Sequence, residues 1–354
     1  MLSRKLLSKL SRFERLSFSD GVELLCFVDL PVLGYWANEY LCRIHLDKFV
    51  RTYNIERNIN YTNICVSGCL FCAFCCSLGS AGGYVLGDDV LFSKISETVL
   101  LGGRQILLQG GLHPLLSFEW YEDLLCRIKR SFPDVNIHGF SPTEIAYFAD
   151  RFGLTDVEVL LRLRAAGLGS LPGGGAEILS DRVRSKLSPN KATAARWLSV
   201  CREWHRMGGR GSATMMFGHI ETVEERVEHL LRIRELQDET GGFTSFIPWT
   251  FQPPNTQIAH IQKASVCEYL KLLAVSRLFL DNIKTIQSSW VTQGLEIGVL
   301  GLSFGADDLG SVMIEENVVA AAGTIHRSNE QEFIKTIKNA GYIAKKRNIT
   351  GGNF

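Results

Sequence analysis

The stretch NIERNINYTNICVSGCLFCAFCC, residues 54–76, decides how the rest of the chain is read. Its first part, 54–61, reads as a strand. Its second part puts Cys65, Cys69 and Cys72 on one short loop, with three and then two residues between them. Three thiolates so placed can hold three corners of a cubane iron–sulfur cluster, leaving the fourth iron open to a small molecule. A zinc site wants a fourth protein ligand to close its tetrahedron. Cys75 or Cys76 could supply it, so zinc remains the rival. Five of the ten cysteines fall between Cys65 and Cys76, and scattered core thiols do not explain that concentration.

Outward from this loop, apolar strand-like runs alternate with amphipathic helical stretches. The strand candidates are 54–61, 105–109, 135–140, 168–172, 212–217, 244–249, 284–288 and 298–304. Between them, 118–130 carries Leu124, Leu125 and Ile128 on one helical face, and 223–237 carries Val227, Leu230, Leu231 and Ile233. Strands alternating with helices imply a parallel sheet, and eight of them suggest closure into an α/β (β/α)8 TIM-type barrel. Residues 1–50 form an N-terminal helical extension, and 51–354 form the barrel with a C-terminal helical segment from 315. The last ten residues, KKRNITGGNF, read as a polar, fraying end. Turn chemistry follows each strand candidate: 65–77, 110–114, 141–142, 173–175, 218–221, 248–254, 288–290 and 305–310. In a barrel these are the βα loops of the C-terminal face, where active sites are built.

Composition sets the limits. The chain has 354 residues, 46% of them hydrophobic, and a net charge of +1. It can fill a large core, and so even a charge balance calls for no nucleic-acid partner. No apolar run is long enough to span a bilayer, so no membrane association is expected. The first sixteen residues hold five basic side chains against Glu14 alone, with Leu2, Leu6, Leu10 and Phe13 at helical spacing. They read as an amphipathic helix or as an organelle transit peptide. With no apolar signal core, and with an oxygen-sensitive cluster, the expected location is cytoplasmic.

C-x3-C-x2-C in the loop after the first strand resembles the signature of the radical S-adenosylmethionine superfamily. LLQGGLHP (107–114) resembles its glycine motif and MMFGHIE (215–221) its adenine-edge motif. RNINYTNIC, HGFSPTEI, LPGGGAEIL, LQDETGGFTSFIPW, FQPPNT and FGADDLGSVMIEENV narrow the resemblance. They point to the menaquinone-pathway enzymes that act on futalosine derivatives, and most closely to the cyclic dehypoxanthinyl futalosine synthase family. The likeness runs from about residue 15 to about residue 345. One departure stands after CAF, where that family has Tyr-Arg or similar and this chain has Cys75-Cys76. Two extra thiols beside a cluster allow alternative ligation, or are a neutral substitution.

The resemblance implies a [4Fe–4S] cluster on Cys65, Cys69 and Cys72, with S-adenosylmethionine on the open iron. It implies a 5′-deoxyadenosyl radical that takes the C4′ hydrogen of dehypoxanthinyl futalosine, after which the sugar radical closes onto the benzoate ring. A reducing donor such as flavodoxin or ferredoxin would supply the electron. Around the cofactor it places Phe71, Gln109, Gly110, Gly111, Glu177 and Gly218. Glu177 is also a candidate hydroxyl acceptor, His219 a candidate base for rearomatisation, and Asp307 a candidate hydroxyl ligand. Further loop candidates are His113, Ser141, Trp249, Gln252, Ser289, Asp308 and Glu315. His138, Arg51 and Arg57 read as structural. The alternatives are the sibling aminofutalosine synthase, which adds the adenosyl radical to an enolpyruvyl benzoate, and a non-catalytic iron–sulfur or zinc protein.

Overall fold

Both faces of the strand ERNIN (56–60) are buried, which is what a strand inside a covered barrel requires. The computed structural model describes residues 3–347. Its strands are β1 (Val50–Asn54), β2 (Glu56–Asn60), β3 (Gln105–Gln109), β4 (Asn136–Gly139), β5 (Gly211–Phe217), β6 (Phe243–Thr250), β7 (Thr285–Ile286), β8 (Asp308–Ser311) and β9 (Ile343–Lys346). β1 and β2 are halves of one strand, broken at Ile55. Pairing between these strands is parallel. β2, β3 and β4 run side by side, then single bridges His138–Ser170 and Leu171–Gly211 carry the sheet to β5. β5, β6 and β7 follow, and the Gln287–Asp308 bridge leads to β8, which returns to β1. The ring therefore closes with eight strand positions, as the alternating pattern predicts.

The pleat sorts each strand into two faces. Ile59, Ile106, Leu108 and Ile137 face outward onto Leu91, Ile95, Leu124, Leu125 and Ile128 of the surrounding helices. Asn58, Gln105, Leu107, Gln109 and His138 face the lumen. The helix Phe118–Ser131 starts at Ser117, whose hydroxyl accepts from Trp120 N, and ends on Lys129 and Arg130, which suit the carboxyl end of its dipole. The helix Val223–Thr240 begins with a Thr222–Glu225 capping box. Both helices fall where the apolar stripes place them.

Three helices, Arg4–Arg12, Phe18–Phe27 and Leu30–Ile44, precede the barrel. Leu6 and Leu10 of the first are buried in the main core, and Leu2 lies outside the described residues. Gly21 lets the second approach Val227 and Phe279, where a Cβ would come within 2.8 Å. Among the described residues, no helix is long and apolar enough to cross a membrane.

Five expectations need correction. Residues 298–304 are not the eighth strand: Leu295–Leu300 is a helix followed by a 3-10 turn at Gly301–Ser303. Short apolar runs carry no period that separates helix from buried strand. Here Gly298 lies so close to Trp290 that a Cβ would fall 2.5 Å from its side chain. The eighth position is β8, so 305–310 precedes and enters a strand instead of following one. The fourth candidate, 168–172, contributes only its two single bridges. The C-terminal segment is not helical throughout: after the helix Glu330–Asn339, β9 pairs with β1 from Val50–Ile343 to Tyr53–Lys346. Of the expected fraying end, 345–347 are ordered in or beside β9, and 348–354 lie outside the described residues.

Candidate active site

The cysteine loop leaves the top of β2 and is tied at both ends. Cys65 N donates to Cys76 O at 3.0 Å, and Cys76 N to Asn63 O at 2.8 Å. Val66 N donates to Leu112 O at 3.1 Å, and Leu70 N to Leu187 O at 2.8 Å. Gly68, at φ +64°, makes the left-handed turn that brings Cys69 back beside Cys65. Ser67 Oγ then sits 3.0 Å from Cys65 Sγ and 3.2 Å from Cys69 Sγ. Gly111 packs under the loop so tightly that a Cβ would lie 2.3 Å from Ile64 O, and one on Gly110 would lie 2.4 Å from the Tyr61 ring. These glycines are demanded by the approach of chain to chain, and both also border the cavity described next.

Cys65, Cys69, Cys72 and Cys75 line one cavity of about 240 Å³, with Phe71, Gln109, Gly110, Gly111, Glu144, Glu177, Lys191 and Trp249. Cys76 is turned away and accepts from Asn63 Nδ2 at 3.3 Å. The Cys75 thiol hydrogen-bonds Cys72 and draws its pKa down to about 6, while Cys75 itself is pushed up. Burial raises Cys69. Among the described residues no three His, Cys, Asp or Glu side chains gather around one ion-sized point. The donor set is soft thiolates spread along a wall, which suits a cluster.

Two charged side chains missed in the sequence complete this wall. Largely buried Lys191 donates to Glu177 Oε1 at 3.0 Å and stands 5.1 Å from the Phe71 ring centroid. Glu177, at φ +40°, keeps its Oε2 buried and without a hydrogen-bond partner, 3.7 Å from Arg184. Glu144 caps the helix Pro142–Phe152 through Ser141. It also accepts from Tyr61 at 2.8 Å and from Gly110 N at 3.2 Å; burial raises its carboxyl. A second cavity of about 280 Å³ descends into the lumen, sharing Gln109, Glu177, Trp249, Val318 and Val319 with the first.

The other candidates divide between the cavities and the scaffold. Asp307 precedes β8, at the end of the barrel away from the cysteine loop, and lines neither cavity. It pairs with buried Arg277 at 2.5 Å and His45 at 3.2 Å, so its expected catalytic role is withdrawn. The His219 side chain is wholly buried and lines neither cavity. Its Nδ1 lies 2.7 Å from Glu221 and its Nε2 3.0 Å from Met216 O, which makes it a support for the end of β5 and not a base. Gly218, at φ +88°, is a turn residue whose N donates to Glu221 at 2.6 Å; it too lies outside both cavities. Glu315 pairs with Lys94 at 2.5 Å, and His113 Nδ1 accepts from Leu115 N and Leu116 N. Ser141 and Gln252 border the thiol cavity, Ser289 the lumen, and Trp249 both. His138 does reach the lumen, where burial lowers it to about 3 and it bonds Ser170 at 2.7 Å.

The model of the radical SAM superfamily matches residues 59–233, and that of the CofH/MqnC C-terminal region matches 240–352. A cyclic dehypoxanthine futalosine synthase of Halalkalibacterium halodurans is 46% identical over 94% of this chain and 90% of its own. The chain belongs to the radical SAM superfamily. An aminodeoxyfutalosine synthase of Thermus thermophilus is 39% identical over 96% of this chain and 92% of its own. The crystal structure of the methylornithine synthase PylB superposes with a TM-score of 0.74 at 18% identity, over 96% of this chain and 97% of that one. That likeness shows the barrel fold alone. As a radical SAM enzyme the protein uses a [4Fe–4S] cluster and S-adenosylmethionine, and the thiol-lined cavity has the donor chemistry for them.

Proposed function

We propose that this radical SAM enzyme converts dehypoxanthinyl futalosine to its cyclic product in menaquinone biosynthesis, with Cys65, Cys69 and Cys72 holding the cluster. The observation that carries the reading is the pair of adjoining cavities, one walled by thiols and the other by polar side chains together with Trp249 and Trp290. The 46% identity to a cyclic dehypoxanthine futalosine synthase supports the same reaction. When bound, the cluster and S-adenosylmethionine supply a carbon-centred radical at the adenosyl 5′ position, which removes a hydrogen atom from the substrate sugar.

The chain's own residues bind, orient and exclude. Phe71, Gln109, Gly110 and Gly111 border the space beside the thiols and suit the adenosyl group. Lys191, buried next to Cys69, offsets the negative charge of the thiolates. Glu177 lines both cavities and is the acid placed to accept a ribose hydroxyl. Trp249 and Trp290 give flat walls for the substrate's aromatic ring. Holding the sugar C–H close to the 5′ carbon, away from water, is most of the catalytic task. The electron comes from a reduced carrier such as flavodoxin or ferredoxin. The enzyme acts in the cytoplasm, without nucleic acid.

Anaerobic reconstitution with iron and sulfide, reduction and product analysis tests this. Free 5′-deoxyadenosine with cyclised product from dehypoxanthinyl futalosine is expected. A covalent adenosyl adduct, formed from an enolpyruvyl benzoate, would assign the sibling reaction instead.

A further inference from the structure

The lumen cavity mixes apolar, hydroxyl and amide side chains, with three glutamates, Glu56, Glu177 and Glu316, and a single strong cation. Ile247, Trp249, Trp290 and Met313 flank it, and among the described residues lining it Arg347 is the only Arg or Lys. Arg347 reaches the lumen through β9, which lies against β1 on the side away from β8. As β9 ends, Arg347 N donates to Tyr53 O at 2.8 Å, and the side chain enters the barrel. Its Nε stands 2.9 Å from Asp308 Oδ2, whose side chain is wholly buried. No described residue accepts a hydrogen bond from its two terminal nitrogens. Asp308 thus pairs with the Nε side of the guanidinium by charge, without an aligned hydrogen bond, and Arg347 borders the cavity with its terminal nitrogens unengaged by any described residue. Glu56, which also lines the cavity and interacts electrostatically with Arg347, accepts at Oε1 from Asn54 and from Gln105 at 2.9 Å.

A guanidinium with unengaged terminal nitrogens at the bottom of a space bordered by Trp249 and Trp290 fits a planar carboxylate, which takes two parallel N–H donors. We propose that Arg347 is the specificity residue that seats the aryl carboxylate of the substrate at the floor of the lumen. This rests on the function proposed above and adds the group that reads the acid. Seated so, the ring lies between Trp249 and Trp290, and the sugar at the other end reaches the wall shared with the thiol cavity. Reversed, the sugar would lie at the floor, away from the cysteines, and no hydrogen atom could be taken from it.

The test compares dehypoxanthinyl futalosine with its carboxamide analogue, using the reconstituted wild-type holoenzyme, Arg347→Gln and Arg347→Lys. Wild type should prefer the acid by about 10- to 100-fold in kcat/KM, mostly through KM, as a charge-assisted pair gives. In Arg347→Gln the ratio of acid to amide should fall to near one, and Arg347→Lys should keep part of it. An Arg347 that merely plugs the barrel would slow both substrates alike and leave the ratio intact, which overturns the proposal. Equal use of acid and amide by wild type overturns it too, with no variant needing to fold. If wild type converts neither and releases no 5′-deoxyadenosine, the functional reading itself fails and this proposal falls with it.

Discussion

Asp307→Asn separates a structural acid from a catalytic one. Arg277 is fully buried and donates to Asp307 Oδ1 at 2.5 Å, to Gly305 O at 2.7 Å and to Lys284 O at 3.0 Å. Asp307 also accepts from Ile286 N at 2.8 Å. The variant keeps the shape and removes what is, among the described residues, the only carboxylate partner of a guanidinium that cannot shed its charge. Breaking a buried pair from one side costs about 3–5 kcal/mol. Unfolding entropy of about 2.1 cal/mol/K per residue over 354 residues gives about 0.7 kcal/mol/K, so the melting temperature should fall by roughly 4–7 °C at pH 7. The pH dependence has a definite sign. Burial alone would raise the Asp307 carboxyl, but Arg277 and His45 hold it below the usual carboxylate value. Its stabilisation is therefore present above the unfolded carboxylate pKa and lost as pH falls through the folded one, so wild type and variant should converge in acid. Differential scanning calorimetry across pH reads the shift, and product formation per folded, iron-loaded enzyme reads catalysis. The reasoning is refuted if the variant melts like wild type yet loses turnover, because Asp307 would then be acting on substrate.

Three further outcomes are expected. Gly111→Ala puts a Cβ 2.3 Å from Ile64 O, so the cysteine loop must shift; iron retained per chain after reconstitution should fall by more than half while far-UV circular dichroism is kept. Burial would raise Glu221, but His219, Arg226 and Gly218 N–H bring it down to about 2. Its folded pKa is depressed, so on the order of 3 kcal/mol of stability present above pH 4–5 should fade as pH falls toward 2. Glu221→Gln should flatten that acid limb in melts at graded pH. Lys191→Met leaves Glu177 with only the more distant Arg184, and KM for S-adenosylmethionine should rise about tenfold or more, as for loss of a charged hydrogen bond, with iron content unchanged.

Legibility followed the range of the interactions that fix each part. The thiols, the glycine pair and the amphipathic helices are local patterns, and β3 falls on the residues its apolar run marks. The eighth strand is not local. DLGS has no β-branched residue, and its place is set by Thr52, Gly310 N and Arg347 around Asp308. The rival run 298–304 is more apolar and becomes a helix. Because β2 is buried on both faces, polarity along it does not separate lumen from exterior. Lys191 lies more than a hundred residues from the cysteines it faces, and Arg347 sits in a basic triplet that reads as solvated. Neither carries a motif. His219 and Gly218 were drawn in by a motif whose turn geometry, a φ of +88° and a buried Glu221, explains them without a ligand.

The most direct measurement uses dehypoxanthinyl futalosine deuterated at ribose C4′, incubated anaerobically with the reduced, reconstituted enzyme and S-adenosylmethionine. The account predicts one deuterium in the released 5′-deoxyadenosine for each cyclised product, and neither product once Cys65, Cys69 and Cys72 are replaced by serine. Unlabelled 5′-deoxyadenosine beside cyclised product, or cyclisation that survives loss of the three thiols, would contradict it.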